Sequence, residues 1–174
     1  MAVRRTPTVI QLGEHHDVET RSTDDLHQSL RLWLRLLACT NLIESRIRRR
    51  LQVEFNTTLP RFDLMAQLER APDGLKMGDL SRRMMVTGAN ITGIVNLLER
   101  DGVISRRADA VDRRAYWVML TREGRRSFER MAVVHERWVK ELFEGLSDED
   151  KHELAHYLAQ LKAHILTGSA RSRR

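Results

Sequence analysis

Three observations predict a mainly α fold. The chain of 174 residues holds only 3 Pro and 9 Gly, too few turn-formers for a many-stranded sandwich or barrel. Apolar residues recur at helical spacing through most of its length. One region alone, residues 103–120, switches to the alternation of strands. The length suits one domain with tails.

Residues 1–23 mix Thr, Pro, Gly and charges without a period and read as a flexible N-terminal arm. Leu30, Trp33, Leu34, Leu37 and Ala38, continued by Ile43, Ile47 and Leu51, predict a long amphipathic helix over residues 24–54. Pro60 suits the first position of a second helix. Phe62, Met65 and Leu68 are its apolar face, and Ala71-Pro72-Asp73-Gly74 is the turn that ends it. Met77, Leu80 and Met84 mark a short third helix. Thr87 is placed to N-cap a fourth, with Ile91, Ile94, Val95 and Leu98 on one face and Gly102 closing it. Val103–Arg107 and Arg114–Leu120 read as two short strands joined by a charged loop. Thr121 N-caps a fifth helix, in which Phe128, Met131, His135, Trp138 and Leu142 share a face and which Gly145 breaks. Ser147 with Asp150 is a capping-box start for a sixth. Leu154, Tyr157, Leu158, Leu161 and Ile165 line it, Gly168 stops it, and residues 168–174 form a basic tail.

The formal net charge is +6, and its distribution carries more than its size. Residues 76–126 hold 11 basic and 6 acidic side chains, whereas residues 127–167 hold 5 basic and 8 acidic. A basic centre beside a less basic scaffold suggests a polyanion-binding module. Cys39 is the only cysteine, which excludes a disulfide within one chain and a cysteine-based zinc site. A single thiol fits the cytosol. No apolar run approaches the roughly 18 residues of a spanning helix, and no apolar core follows Arg4 and Arg5 as a secretory signal requires. A cytoplasmic chain with no membrane contact and no cofactor is therefore expected.

Two short helices across a tight turn, followed by a charged hairpin, make a winged helix-turn-helix pattern. A helix that presents small polar side chains can enter the major groove of DNA and reach base edges. Gly88, Ala89, Asn90, Thr92, Gly93 and Asn96 are the outward residues of the fourth helix, with Thr87 at its start. Asn90 and Asn96 each both donate and accept, as adenine recognition requires. Arg113 and Arg114 of the hairpin reach phosphates or a narrow minor groove. Arg82, Arg83, Arg106 and Arg107 add phosphate contacts that position without specifying.

Leu80-Ser81, Val86 through Thr92, Leu97-Leu98-Glu99-Arg100-Asp101-Gly102-Val103-Ile104, Asp109 with Asp112-Arg113-Arg114, and Leu120-Thr121-Arg122-Glu123-Gly124 together resemble the MarR family of bacterial transcription regulators. The likeness spans residues 25–166, and the Asp-Arg-Arg wing with Leu-Thr-x-x-Gly is its most specific part. The resemblance implies a homodimer on a pseudo-palindromic double-stranded DNA operator. Dimerisation helices would lie in 24–56 and 122–167, and the DNA-binding region in 57–121. It also implies that Arg113 is the wing-tip arginine, with Asp112 and Arg114 holding the wing. Ala110-Val111 stands where relatives often carry Pro-Glu, and Gly88 and Gly93 lower the helix propensity of the reading helix.

Members of such a family commonly release DNA when a small molecule binds between the first, second and fifth helices. Trp33, Leu37, Phe62, Met65, Met131 and Trp138 would supply apolar walls there, and Asn41, Arg61 and His135 polar contacts; a stripe of such residues at helical spacing is equally a core. Leu59 through Met65 with Met85-Val86-Thr87-Gly88 is similar to a subgroup that controls aromatic and hydroxycinnamic acid catabolism. That likeness implies a repressor released by an aromatic acid or an aromatic acyl-CoA thioester such as p-coumaroyl-CoA. Arg46, Arg49 and Arg50 are the cations available to CoA phosphates, although cations at a helix end are also explained by the helix dipole.

Two other readings compete. His152-Glu153-Leu154-Ala155-His156 matches the zinc-peptidase string and keeps a zinc-dependent hydrolase or a metal sensor as the alternative. The next histidine, His164, lies two turns on, about 12 Å by helical rise, too far to close the site on one straight helix. Cys39 raises peroxide sensing, but Leu37, Ala38 and Thr40 offer no thiolate stabilisation, and an inert core thiol is expected.

Overall fold

The computed structural model describes residues 28–109, 112 and 115–171. The predicted arm, the expected start of the first helix at residue 24, Arg113, Arg114 and the end of the basic tail lie outside the described residues. Among the described residues six helices and three strands follow in the order α1 (Gln28–Phe55), α2 (Leu59–Glu69), β1 (Leu75–Lys76), α3 (Met77–Met84), α4 (Gly88–Arg100), β2 (Ile104–Ala108), β3 (Tyr116–Leu120), α5 (Arg122–Leu142) and α6 (Asp148–Arg171). The chain divides into two compact units, residues 1–45 and residues 46–174.

The described part of the first unit is helical. Its Leu30, Trp33, Leu37 and Leu42 are exposed to solvent. Cys39 is exposed too, which corrects the expectation of a core thiol: no side chain among the described residues covers its face of the helix.

The second unit holds the core. Ile47 and Leu51 from the end of α1 join Phe62, Leu64, Met65 and Leu68 of α2, Leu80 of α3, Ile91, Val95 and Leu98 of α4, Ile104 and Val118 of the sheet, and Phe128, Met131 and Trp138 of α5. Removing each such side chain from water contributes about 2 kcal/mol. The sheet is antiparallel in the order β1-β3-β2. Ile104 faces Leu120 and Ala108 faces Tyr116 in the long hairpin, while Leu75 and Lys76 pair with Val118 and Trp117 on the other side of β3. The short strand β1 is not predicted by the sequence, because two residues carry no period.

Local chemistry sets the helix ends as expected. Thr87 Oγ1 accepts from the Asn90 amide at 3.4 Å, and Thr121 Oγ1 accepts from Gly124 at 2.9 Å. Ser147 and Asp150 form the reciprocal capping box, each amide donating to the other's side chain at 3.1 Å. The hydrogen bonds from Ser147 hold the Asp150 carboxyl below its usual range. Gly102 takes φ 70° just after α4, a left-handed conformation glycine adopts without strain. One boundary differs: α6 runs through Gly168 to Arg171. A single glycine costs a helix only about 1 kcal/mol, too little to end one of 24 residues. No helix among the described residues is long and apolar enough to cross a membrane.

Candidate nucleic-acid interface

Helix α4 has two opposite faces. Ile91, Val95 and Leu98 are buried, and Gly88, Ala89, Asn90, Thr92, Gly93 and Asn96 are exposed. A Cβ added at Gly88 or Gly93 would meet nothing within 4 Å. Packing therefore does not require either glycine, although each weakens the helix. The absence of side chains instead leaves the outer face able to lie close against another surface. Thr92 Oγ1 donates to the Gly88 carbonyl at 2.9 Å, a bond within the helix that leaves the face uncharged.

Two of the expected DNA contacts are engaged with one another. The Arg106 guanidinium donates through Nη2 to Asn96 Oδ1, and its Nε lies 3.2 Å from Glu99 Oε2. Arg106 thereby joins strand β2 to the outer face of α4. Arg82 pairs with Asp79 one turn earlier in α3 and remains exposed; ion pairs at such surfaces contribute at most about 1 kcal/mol. Thr87 serves as the cap of α4, so its hydroxyl is already in use as an acceptor.

The wing is organised by a residue that the sequence reading did not single out as functional. Asp109 Oδ1 accepts from the Asp112 amide at 3.0 Å, and Oδ2 accepts from the Trp117 indole N–H at 2.8 Å. The same Oδ2 lies 2.8 Å from Lys76 Nζ. The Asp109 amide donates to Ala115 at 2.9 Å and the Ala115 amide to Asp112 at 2.9 Å, closing the base of the loop. Lys76 also stands 5.2 Å from the Trp117 ring centre, within cation–π range. The hydrogen bond to Asp109 raises the Lys76 ammonium above its ordinary value. One carboxylate thus joins the wing, β3 and the strand leading into α3. Its partners lie 33 and 8 positions away in the chain, which hides the cluster from any local pattern. The Asp112 backbone takes part in this closure, donating to Asp109 and accepting from Ala115.

The residues expected around an effector are distributed among several places. Phe62 and His135 line a cleft of about 470 Å³ between α2, the end of α3 and α5, together with Arg70 and Arg83. The two rings lie 4.6 Å apart, and burial lowers the His135 imidazole below its ordinary value of 6.5. Arg61, Met65 and Met131 line a separate cleft of about 210 Å³ that reaches Leu98 and Asp101 of α4. Arg46, Arg49 and Arg50 flank a groove of about 440 Å³ with Val53 and Glu54. Arg50 also donates to Glu141 at 2.6 Å and lies over Trp138. Trp138 is buried in the core with its ring 6.0 Å from Phe55. Trp33, Leu37 and Asn41 are exposed residues of the first unit.

On α6, His152, Glu153 and His156 all face solvent. His156 shares a hydrogen bond with Gln160 at 2.8 Å.

An exposed, uncharged helix face beside a clamped hairpin defines a winged-helix protein of the DNA-binding class. A family model described as MarR family matches residues 55–115. The chain is 32% identical over 134 residues to the transcriptional activatory protein BadR of Rhodopseudomonas palustris, covering 75% of this chain and 76% of that one. It is 34% identical over 98 residues to the transcriptional repressor YetL of Bacillus subtilis, covering 56% and 59% of the two chains. The solved MarR family regulator from Silicibacter pomeroyi is 34% identical, with a TM-score of 0.70 over 83% of this chain and 99% of its own. The regulator Sco3205 of Streptomyces coelicolor, solved in complex with DNA, shares the fold at 22% identity with a TM-score of 0.71 over 81% and 89%. The chain belongs to the MarR family. It is a DNA-binding transcription regulator and not an enzyme, which sets aside the hydrolase reading of the α6 histidines.

Proposed function

We propose that the protein is a dimeric, ligand-responsive repressor of aromatic acid catabolism. Helix α4 enters the major groove of a pseudo-palindromic operator, and Arg113 of the wing reaches the backbone or the minor groove. The observation that carries the reading is the outer face of α4: small and uncharged, with two glycines that packing does not need. Asn90 supplies base-edge hydrogen bonds. Asn96 reads with Arg106 held against it, so that this pair acts as one unit. Residues 57–121 form the DNA-binding region, and residues 24–56 with 122–167 the dimerisation helices. The exposed apolar stripe of α6 supports that assignment, because no described residue covers it. A related fold held on DNA supports the docking mode.

The effector is an aromatic acid or an aromatic acyl-CoA thioester, with p-coumaroyl-CoA as the named candidate. Clefts beside Phe62 and His135 and beside Met65 and Met131 offer apolar walls with cations at hand. Arg46, Arg49 and Arg50 offer a groove for CoA phosphates. The test is binding to a fluorescent duplex from the DNA upstream of the protein's own coding sequence, with and without p-coumaroyl-CoA and p-coumarate. Specific binding released by either compound is expected. Binding indifferent to both would discard the effector, and no preference over random duplex would overturn the operator. In-vitro transcription from the same duplex reads the sign, and an increase on adding the protein would replace repressor by activator.

A further inference from the structure

The turn that joins α3 to α4 carries a residue that folding does not explain. Met85 takes φ 53° and ψ 37°, the left-handed region that glycine occupies without steric cost and a longer side chain does not. Its side chain is 91% exposed, the most of any large apolar residue among those described. A thioether in water adds nothing to the core, so glycine would suit this turn better on both counts. The turn itself is firmly held. The Met85 amide donates to the Arg82 carbonyl at 3.3 Å, and the Val86 amide to the Ser81 carbonyl at 3.2 Å. Ser81 Oγ donates back to the Val86 carbonyl at 2.6 Å. Residue 85 is thus fixed just ahead of Thr87, the cap of α4. Arg82 and Arg83 before it and residues 87–90 after it are exposed as well. Met85 is the one large apolar side chain in an exposed strip that is otherwise cationic, polar or small.

We propose that Met85 is a sequence-reading residue and that it reads thymine, by packing its thioether against the C5-methyl group. The inference rests on the docking of α4 proposed above. A helix that enters the major groove reads base edges with its N-terminal residues, and residue 85 stands at that end of α4. The base edges there present hydrogen-bond donors and acceptors, and the thymine methyl is the apolar group among them. The unbranched, polarizable Met side chain adapts its shape to such a small target. Burying one methyl group is worth roughly a fourfold gain in affinity. This contact distinguishes T·A from C·G without any hydrogen bond, and so adds to what Asn90 and Asn96 read. The strained backbone at residue 85 then has a reason outside the fold: it places an apolar group on the surface that meets DNA.

The test uses the full chain and the duplex it selects from a pool of random sequences. Each thymine of that duplex is replaced in turn by deoxyuridine, which deletes the C5-methyl and keeps every hydrogen-bonding group. Affinity is read by fluorescence anisotropy. At least one replacement is expected to weaken wild type roughly fourfold. Met85→Gly should bind the unmodified duplex more weakly by a similar factor and no longer respond to that replacement. Its urea midpoint should hold or rise, because glycine relieves the left-handed backbone. Met85→Leu keeps an apolar side chain of similar volume and should keep the response. A double-mutant cycle between residue 85 and the methyl group separates the contact from any change in the turn. An undiminished response in Met85→Gly would overturn the proposal, as would a lowered urea midpoint in that variant or a wild type indifferent to every replacement. An equal loss on the selected duplex and on a random one would also overturn it, assigning Met85 to deoxyribose, a contact without sequence information. In each of those cases the selected duplex leaves the docking of α4 standing. If wild type selects no sequence, base reading by α4 falls together with that by Met85.

Discussion

Asp109 shows how much of the interface rests on a side chain that need not touch DNA. Its two oxygens serve the Asp112 amide, the Trp117 indole and Lys76. Asp109→Asn keeps the size and removes the charge; it should loosen the wing, shift Trp117 fluorescence and weaken operator binding while helix content by circular dichroism stays unchanged. An unaltered operator affinity would assign the cluster to folding alone. His135 makes a different prediction. Burial depresses its pKa below 6.5, so beneath that value the unfolded chain binds a proton that the folded chain does not. Stability must then fall with pH from about 6.5 down to the depressed folded value. The melting temperature of wild type should drop more between pH 7.5 and 5.5 than that of His135→Gln, whatever the variant's absolute stability. Parallel curves for the two proteins would refute the assignment. Neither residue's role was legible in the sequence: the partners of Asp109 and the packing around His135 are set by tertiary structure. The ion pair of Arg61 with Asp101, 40 positions apart, was hidden in the same way.

At the scale of elements, what was legible is what is local. The caps Thr87 and Thr121, the Ser147–Asp150 box and the buried faces of α4 and α5 depend on neighbours within a turn or two. Strand β1 has no such neighbours, since only its pairing with β3 defines it. The Leu-Thr-x-x-Gly run acquires a physical reason here. A Cβ on Gly124 would stand 1.8 Å from the Val103 carbonyl oxygen, while Thr121 Oγ1 donates to the Gly102 and Val103 carbonyls. The first turn of α5 thus lies directly against the start of the hairpin. Gly124→Ala must push these backbones apart and should cost several kcal/mol, read as a lowered urea midpoint, at the upper end of what point changes do. Gly93→Ala should do the opposite. With nothing near its Cβ, it should gain up to about 1 kcal/mol of stability and lose operator affinity, because a methyl group is added to the face that meets DNA. Gain of both stability and affinity would contradict the close-approach argument.

At the scale of the whole molecule, apolar surface stays uncovered among the described residues. Leu154, Tyr157, Leu158, Leu161 and Ile165 of α6 are all exposed, as are Leu30, Trp33, Leu37 and Leu42 of α1. Their helical spacing was plain in the sequence; that no described residue covers them was not, because a periodicity marks an apolar face without saying what buries it. Under the dimer proposed above, Leu158→Glu should shift the protein to monomer in sedimentation and abolish operator binding, while a single winged-helix unit keeps its helices. A monomeric wild type would remove the pseudo-palindrome from the proposal. The division of charge has the same logic, since 11 basic and 6 acidic residues of 76–126 place the cations on the part proposed to meet DNA.

The clamp at Asp109 has a consequence for how such a protein changes over time. The base of the loop is fastened between residues 109 and 115 and anchored to Lys76 and Trp117, so its closure rests mainly on one carboxylate and on backbone groups that any side chain would leave in place. A closure of that kind tolerates changes of sequence in the hairpin as long as Asp109, Lys76 and Trp117 are kept, which lets the scaffold persist while the loop it carries diverges.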